Sequence, residues 1–427
     1  MLSKMPPVAS NPSRTAWLVL AIVSIANFGN FYVYDSIGPV ADLLQRMRGF
    51  SDTQVGLLNA VYSLPNIVLL LAGGWMVDRF GAARMMAVTA ALCCGGALLT
   101  ALGAGFTGMA AGRLVFGIGA ETFNVATLAA IVQWFSGRHL AFAIGASLAL
   151  GRAGAFAVDL SPTWIAGAYA GGWQPPLLVA ALFAGLSLAM SIAYWRLDRG
   201  RDAAHPPAAA PAFAWRDLFR FGPAFWQLLA LCMLWYAVIV AFRSTFSIKF
   251  FQHAHGLELA AAGAINGTVY LAALFATPFF GWVADRTGHA ARLLALGTML
   301  LPVAVLAMMS PALPLWIGTV LIGISYSLVP AVLWPLASRI VPAARLGTAL
   351  AALAVGLNAG IAAANLAAGS LNDAFAAGAG NPAGYGPMML LFAACGAVAF
   401  VFALRLCEGD AHLHIREGDA HSHEDRQ

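Results

Sequence analysis

Two charged residues, Glu121 and Arg152, lie deep in apolar sequence on either side of a short turn at Phe135–His139. If the runs around them are helices, Glu121 stands 13 residues before Trp134 and Arg152 stands 13 residues after His139. At about 1.5 Å of rise per residue, both reach about 20 Å from the same edge, at matched depth on neighbouring helices. An acid and a base so placed can pair with each other. They can equally take the two ends of a zwitterion, with Glu121 on the ammonium and Arg152 on the carboxylate. A charge inside a bilayer is costly, and a buried ion pair adds little net stability, so a role in ligand contact is the stronger expectation.

Other polar residues share this setting. Asp35 falls late in the first apolar run and Arg113 early in the fourth, which places both toward the same membrane face. They are expected to pair as a strut between helices, with an outer gate or a proton-linked switch as the functional alternative. Asp159 precedes Ser161-Pro162 and is expected to satisfy backbone groups freed by the proline or to reach outer-side water. Arg243 has no evident partner in its own half, which leaves a second anionic contact across the cavity or snorkelling outward. Tyr34, Tyr62, Asn66, Trp334 and Asn358 fall at cavity depth and complete the expected substrate-binding set. Pro65, Pro330 and Pro335 mark bends in the helices that carry them.

The elements that must position these groups are transmembrane helices. The chain is 61% apolar and only 10% charged, against roughly 25% charged for a soluble domain. Twelve apolar runs between residues 16 and 407 are long enough to span. The expected class is an all-α polytopic membrane protein of twelve helices in two pseudo-symmetric halves. The halves are residues 1–195 and 222–407, joined by a linker at 196–221 and followed by a His-rich, disordered tail at 408–427.

Duplication carries the two-half expectation. Gly74-Trp75-Met76-Val77-Asp78-Arg79-Phe80-Gly81 recurs as Gly281-Trp282-Val283-Ala284-Asp285-Arg286-Thr287-Gly288, always 207 positions later. Gly56 and Asn59 map to Gly263 and Asn266 at the same offset. In apolar sequence, such repetition is the parallel two-half plan of a transporter. Gly74, Asp78, Arg79 and Gly81 with Arg84, and Gly281, Asp285, Arg286 and Gly288, are expected to form a cytoplasmic gate motif. With both termini cytoplasmic, 17 Lys and Arg residues fall on the cytoplasmic side and 3 (Arg46, Arg48 and Lys249) on the other. That asymmetry places both termini inside, in a bacterial inner membrane.

The net charge of +5 reflects this asymmetry and points to no nucleic acid. No Gly-rich loop with a following Lys-Ser/Thr is present to hold a nucleotide, which argues against a primary pump. Two His-x-His repeats, His412/His414 and His421/His423, lie on a stretch with no rigid scaffold, and no metal or cofactor is expected. The expected partners are a small-molecule substrate and the lipid bilayer. The chain is expected to act as a monomer, with an accessory membrane protein left open.

The repeated loop phrase resembles the loop motif of the major facilitator superfamily, and the resemblance spans the whole chain. Further phrases resemble its branch of lysosomal dipeptide transporters and their bacterial relatives. They are Tyr34-Asp35; Tyr62-Ser63-Leu64-Pro65-Asn66; Gly112-Arg113 through Gly119 with Glu121; Gly151-Arg152-Ala153-Gly154; Ala264 through Tyr270; and Leu333-Trp334-Pro335 with Leu346-Gly347-Thr348. The resemblance implies facilitated movement of dipeptides, with Glu121 and Arg152 at the positions that recognise the substrate's termini. The alternatives are a proton-coupled carrier of organic anions or drugs using Glu121 or Asp35, and a transport-dead receptor or scaffold.

Overall fold

The computed structural model describes residues 12–198, 218–287, 290–342 and 345–424; side chains are described for these except 67, 68, 70–72, 138, 278, 281, 284, 285, 287 and 409–424. Among the described residues, twelve long helices follow one another, as the apolar runs require. They are α1 (Arg14–Tyr34), α2 (Asp52–Phe80), α3 (Ala82–Leu102), α4 (Phe106–Trp134), α5 (Gly137–Asp159), α6 (Gln174–Asp198), α7 (Pro223–Ala241), α8 (Leu259–Thr287), α9 (Ala290–Met309), α10 (Leu315–Ile340), α11 (Leu346–Ala374) and α12 (Gly386–Glu424). Beyond Ala241, α7 runs through a π-helical turn at Phe242–Phe246 into Ser247–His255.

Local chemistry sets the ends. Ser51 and Gln54 form a reciprocal capping box before α2: Ser51 N–H donates to Gln54 Oε1 at 3.0 Å, and Gln54 N–H donates to Ser51 Oγ at 3.2 Å. Gly256 ends the α7 extension in the left-handed region, at φ 67°. Two boundaries differ from those expected. α1 stops at Tyr34, so Asp35 is its C-cap rather than a residue within the span, and a short helix at Ala41–Arg48 follows. α5 stops at Asp159 because Pro162 lacks the N–H that would continue the ladder, and two short helical turns, Ser161–Trp164 and Ala166–Ala170, replace its expected outer end. The segment after residue 407, expected as a disordered tail, continues as helical backbone to Glu424; it contains no proline to stop it.

Compactness divides the chain along different lines from the sequence repeat. The first unit holds residues 1–36, 69–158 and 174–210; the second holds 37–68, 159–173 and 211–427. In the first, α3 and α4 pack closely where Gly96 faces Gly112 and Phe116, and α5 packs on α1 through Ser147, Gly151 and Gly154. In the second, the bundle α7–α12 also holds the α1–α2 connection, the first part of α2 and the α5–α6 connection. The connections that follow α1, α5, α7 and α11 therefore meet in one unit. The membrane face they share is called here the odd face.

Candidate transport site and gate

In the first unit, α4 buries Gly112, Phe116, Gly119 and Phe123. Its other face is a stripe of exposed Leu114, Ile118, Leu128 and Val132, and half-buried Glu121 sits in the middle of it. The spacing of these residues puts them on one side of the helix. On α5 the face toward α1 is Ser147, Gly151 and Gly154, with Asn27 Nδ2 donating to the Ser147 carbonyl at 3.2 Å. Half-buried Arg152 lies on the other side, in line with exposed Gly145 and Leu148. Each member of the expected acid–base couple thus sits on a helix face that the first unit leaves uncovered. Glu121 is 13 residues from the end of α4 and Arg152 is 15 from the start of α5, or about 20 and 22 Å along their helices.

Arg113 is fully buried, and its guanidinium donates to the carbonyls of Val33 at 3.2 Å and Tyr34 at 3.1 Å. It caps the C-terminal end of α1 beside the buried Asp35, where a cation meets the negative end of the helix dipole. These contacts between the first and fourth helices run to backbone carbonyls of α1, where a pair with the Asp35 carboxylate was expected. Tyr34 is half-buried at the same place.

In the second unit the polar residues converge on the odd face. Arg243, expected to face the cavity or to snorkel, instead donates to Asp159 Oδ2 at 2.6 Å and to Tyr270 Oη at 3.0 Å, with its guanidinium 3.9 Å from the Tyr270 ring centre. Asp159, expected to satisfy freed backbone groups or to reach outer-side water, also accepts from Asn266 Nδ2 at 3.0 Å. Lys249 Nζ lies 2.7 Å from both carboxylate oxygens of Asp52. His253 bridges Asp42 Oδ1 and Tyr385 Oη, each at 2.8 Å, and Asp42 also pairs with Arg46 at 2.9 Å. Asp159, Arg243, Asp52 and Lys249 are all buried. Asp159–Arg243, Asp52–Lys249 and Asp42–His253 each join a residue from the first half of the sequence to one from the second, whereas Asp42–Arg46 lies within the first. These contacts close the odd face within the second unit.

Asn66 and Asn358 are brought together: Asn66 Nδ2 donates to Asn358 Oδ1 at 3.2 Å, and both are buried. Tyr62 is buried and Trp334 half-buried. In the repeated loop motif, Arg79 stacks on Trp75 at 5.5 Å and Arg286 on Trp282 at 4.5 Å, a cation–π contact at matching positions of both copies. Gly74 and Gly81 are half-buried, and Asp78, Arg79 and Arg84 are exposed. Gly288 lies outside the described residues, as do the side chains at Gly281 and Asp285.

The sequence reasoning missed the odd-face contact residues Asp42, Asp52, Asn59, Thr245, His253, Asn365 and Asp373. One signal was present: Asp52, Asn59 and Asn66 recur every seven residues, as do Asn358, Asn365 and Asn372. Polar residues at that period lie along one seam of a helix pair.

Duplicated bundles of apolar helices with ionisable side chains held at bilayer depth define a multi-pass membrane transporter for small solutes. The comparisons narrow the class. The model of the Major Facilitator Superfamily matches residues 23–365 and, in a second match, 244–421, and the chain belongs to that superfamily. It is 31% identical over 388 residues to the human lysosomal dipeptide transporter MFSD1, covering 86% of this chain and 82% of that protein. With its counterpart from Bos taurus it shares 30% over 399 residues, 87% of this chain and 84% of the relative. Among solved structures, a bacterial homologue of the human lysosomal transporter Spinster, inward-facing and unoccupied, superposes with a TM-score of 0.72 at 16% identity, covering 93% of this chain and 98% of that one. A nucleoside transporter, NupG, gives 0.72 at 12% identity, covering 91% and 99%.

Proposed function

We propose that the protein moves dipeptides across a bacterial inner membrane by alternating access, as a uniporter with both termini in the cytoplasm. The observation that carries this is the placement of Glu121 and Arg152. They sit at similar distances, about 20 and 22 Å, from the short turn that joins two consecutive helices, on faces their own unit leaves uncovered. A carboxylate and a guanidinium so placed complement the ammonium and carboxylate of a zwitterion, and the guanidinium fork gives the carboxylate two parallel hydrogen bonds. The relatives named as dipeptide transporters support the same substrate class. With the odd face turned away from the cytoplasm, the ion pairs of the second unit close the outer side.

The test is uptake by purified protein in liposomes. Dipeptides, free amino acids and organic anions are compared with and without a pH gradient. The proposal expects dipeptide flux that does not concentrate against the gradient, and loss of that flux in Glu121→Gln and in Arg152→Ala while both variants still fold. Unchanged flux in either variant removes that residue from the site. Accumulation driven by a proton gradient replaces the uniporter with a proton-coupled carrier.

A further inference from the structure

We propose that α2 is hinged at Pro65: its outer part, Asp52–Leu64, is a gate arm zipped to α11, pinned at the Asn66–Asn358 contact, and it swings independently of the rest of the helix.

The zip is a polar ladder of nearly constant step. The rungs descend α2 in steps of seven, Asn66, Asn59 and Asp52, and climb α11 in steps of seven and eight, Asn358, Asn365 and Asp373, which is how antiparallel helices meet along one seam. The rungs lie about 10 Å apart. At the inner rung, Asn66 donates to Asn358. At the middle rung, Asn59 Nδ2 donates to Thr245 Oγ1 at 2.7 Å, and that hydroxyl donates to Asn365 Oδ1 at 2.7 Å. At the outer rung, Asp373, the neighbour of Asn372, accepts from the backbone N–H groups of Asp52 at 2.7 Å and Thr53 at 2.8 Å. Gly56 lets the Asn365 carbonyl come so close that a methyl group there would strike it.

Three observations place the hinge. Pro65 lies inside α2, so the carbonyl of Val61 loses its helical donor one residue before the inner rung. The boundary between compact units crosses α2 at Val68/Leu69, within an unbroken helix; among the described residues its other crossings, after Ser36, at Val158/Asp159 and before Gln174, come where α1 has ended, where α5 ends and where α6 begins. The duplicate helix α8 keeps Gly263 and Asn266, the partners of Gly56 and Asn59, but has Ala272 and Ala273 where α2 has Pro65 and Asn66. That helix lies wholly in the second unit. The duplicate helix has its own proline six residues further along, at Pro278, with no amide beside it, so proline and pinning amide stand together only in α2, close to where that helix passes from one unit to the other.

The test compares matching seams and needs no substrate. Single cysteines replace Asn59 in α2 and Asn266 in α8, in a background lacking the native thiols. Labelling by an impermeant reagent from the odd face is scaled to the denatured rate. A swinging arm exposes Asn59→Cys roughly tenfold faster than Asn266→Cys. Adding Pro65→Ala, the residue α8 already uses, brings the first rate down to the second, while Pro65→Gly leaves the difference in place. Equal rates for the two cysteines with Pro65 intact overturn the hinge, as rigid halves would label both seams alike. A difference that Pro65→Ala does not reduce overturns it too. If Pro65→Ala fails to fold, the comparison with Pro65 intact decides.

Discussion

Replacing Arg243 with alanine should open the odd face. The guanidinium has Asp159 at 2.6 Å, Tyr270 Oη at 3.0 Å and Ser244 Oγ at 3.3 Å, and both members of the ion pair are buried. Its removal takes away the counter-charge 2.6 Å from the Asp159 carboxylate and leaves the hydrogen bond from Asn266 in place. Breaking a buried pair in this way costs about 3–5 kcal/mol. In the open state water solvates the same carboxylate, so the cost falls mainly on the closed state. At about 1.4 kcal/mol per tenfold, the ratio of open to closed molecules rises roughly a hundred- to several-thousandfold. The assay is labelling of a cysteine at Ser63, which is buried in α2, in a background where the five native cysteines are replaced. Arg243→Ala should speed labelling by that factor. The double variant Arg243→Leu with Asp159→Leu should label near the parent rate, because an apolar pair of similar size removes the stranded charge. If Arg243→Ala labels within about threefold of the parent while melting normally, the ion pair does not hold the gate and the reasoning fails.

Other outcomes follow from the same face. Asp52→Asn should loosen the gate by leaving the buried Lys249 unpaired, and the exchange Asp52→Lys with Lys249→Asp should recover part of the loss, read by the same labelling. Gly56→Ala and Gly263→Ala should each hinder closure to a similar extent, since a methyl at either meets a backbone carbonyl, of Asn365 or of Asp159; one variant closing normally would break the equivalence of the two seams. Trp282→Ala should cost less than about 1 kcal/mol in thermal stability, because the Arg286 contact it removes is exposed, and should leave gate labelling unchanged.

The helices were legible from composition and the two halves from the fixed offset of 207, since both depend on residue types along the chain. Arg113 at the end of α1 was also within reach, because run order places Asp35 and Arg113 toward one face. Arg243 and Asp159 were each noticed yet not joined. They stand 84 positions apart in different halves, and their meeting depends on where Pro162 ends α5 and on how α7 continues through its π turn. Neither hydropathy nor periodicity reports a π turn, because the turn is made by packing. Thr245 was invisible for the same reason: its role is to stand between Asn59 and Asn365, which come from separate helices. The ladder itself was present as a step of seven, but a scan for apolar faces passes over polar residues at that spacing.

The central claim is that the two ends of a zwitterion are read by two named side chains, and blocked substrates test it directly. Uptake into liposomes is measured for a dipeptide, its N-acetyl form and its C-terminal amide, with the parent protein, Glu121→Gln and Arg152→Ala. Each block should cost the parent at least about tenfold, the worth of one lost charge-assisted hydrogen bond or more. Any residual flux through Glu121→Gln should be indifferent to acetylation yet still sensitive to amidation, and residual flux through Arg152→Ala should show the reverse. Full sensitivity to both blocks in both variants would contradict the account, as would parent flux that neither block reduces.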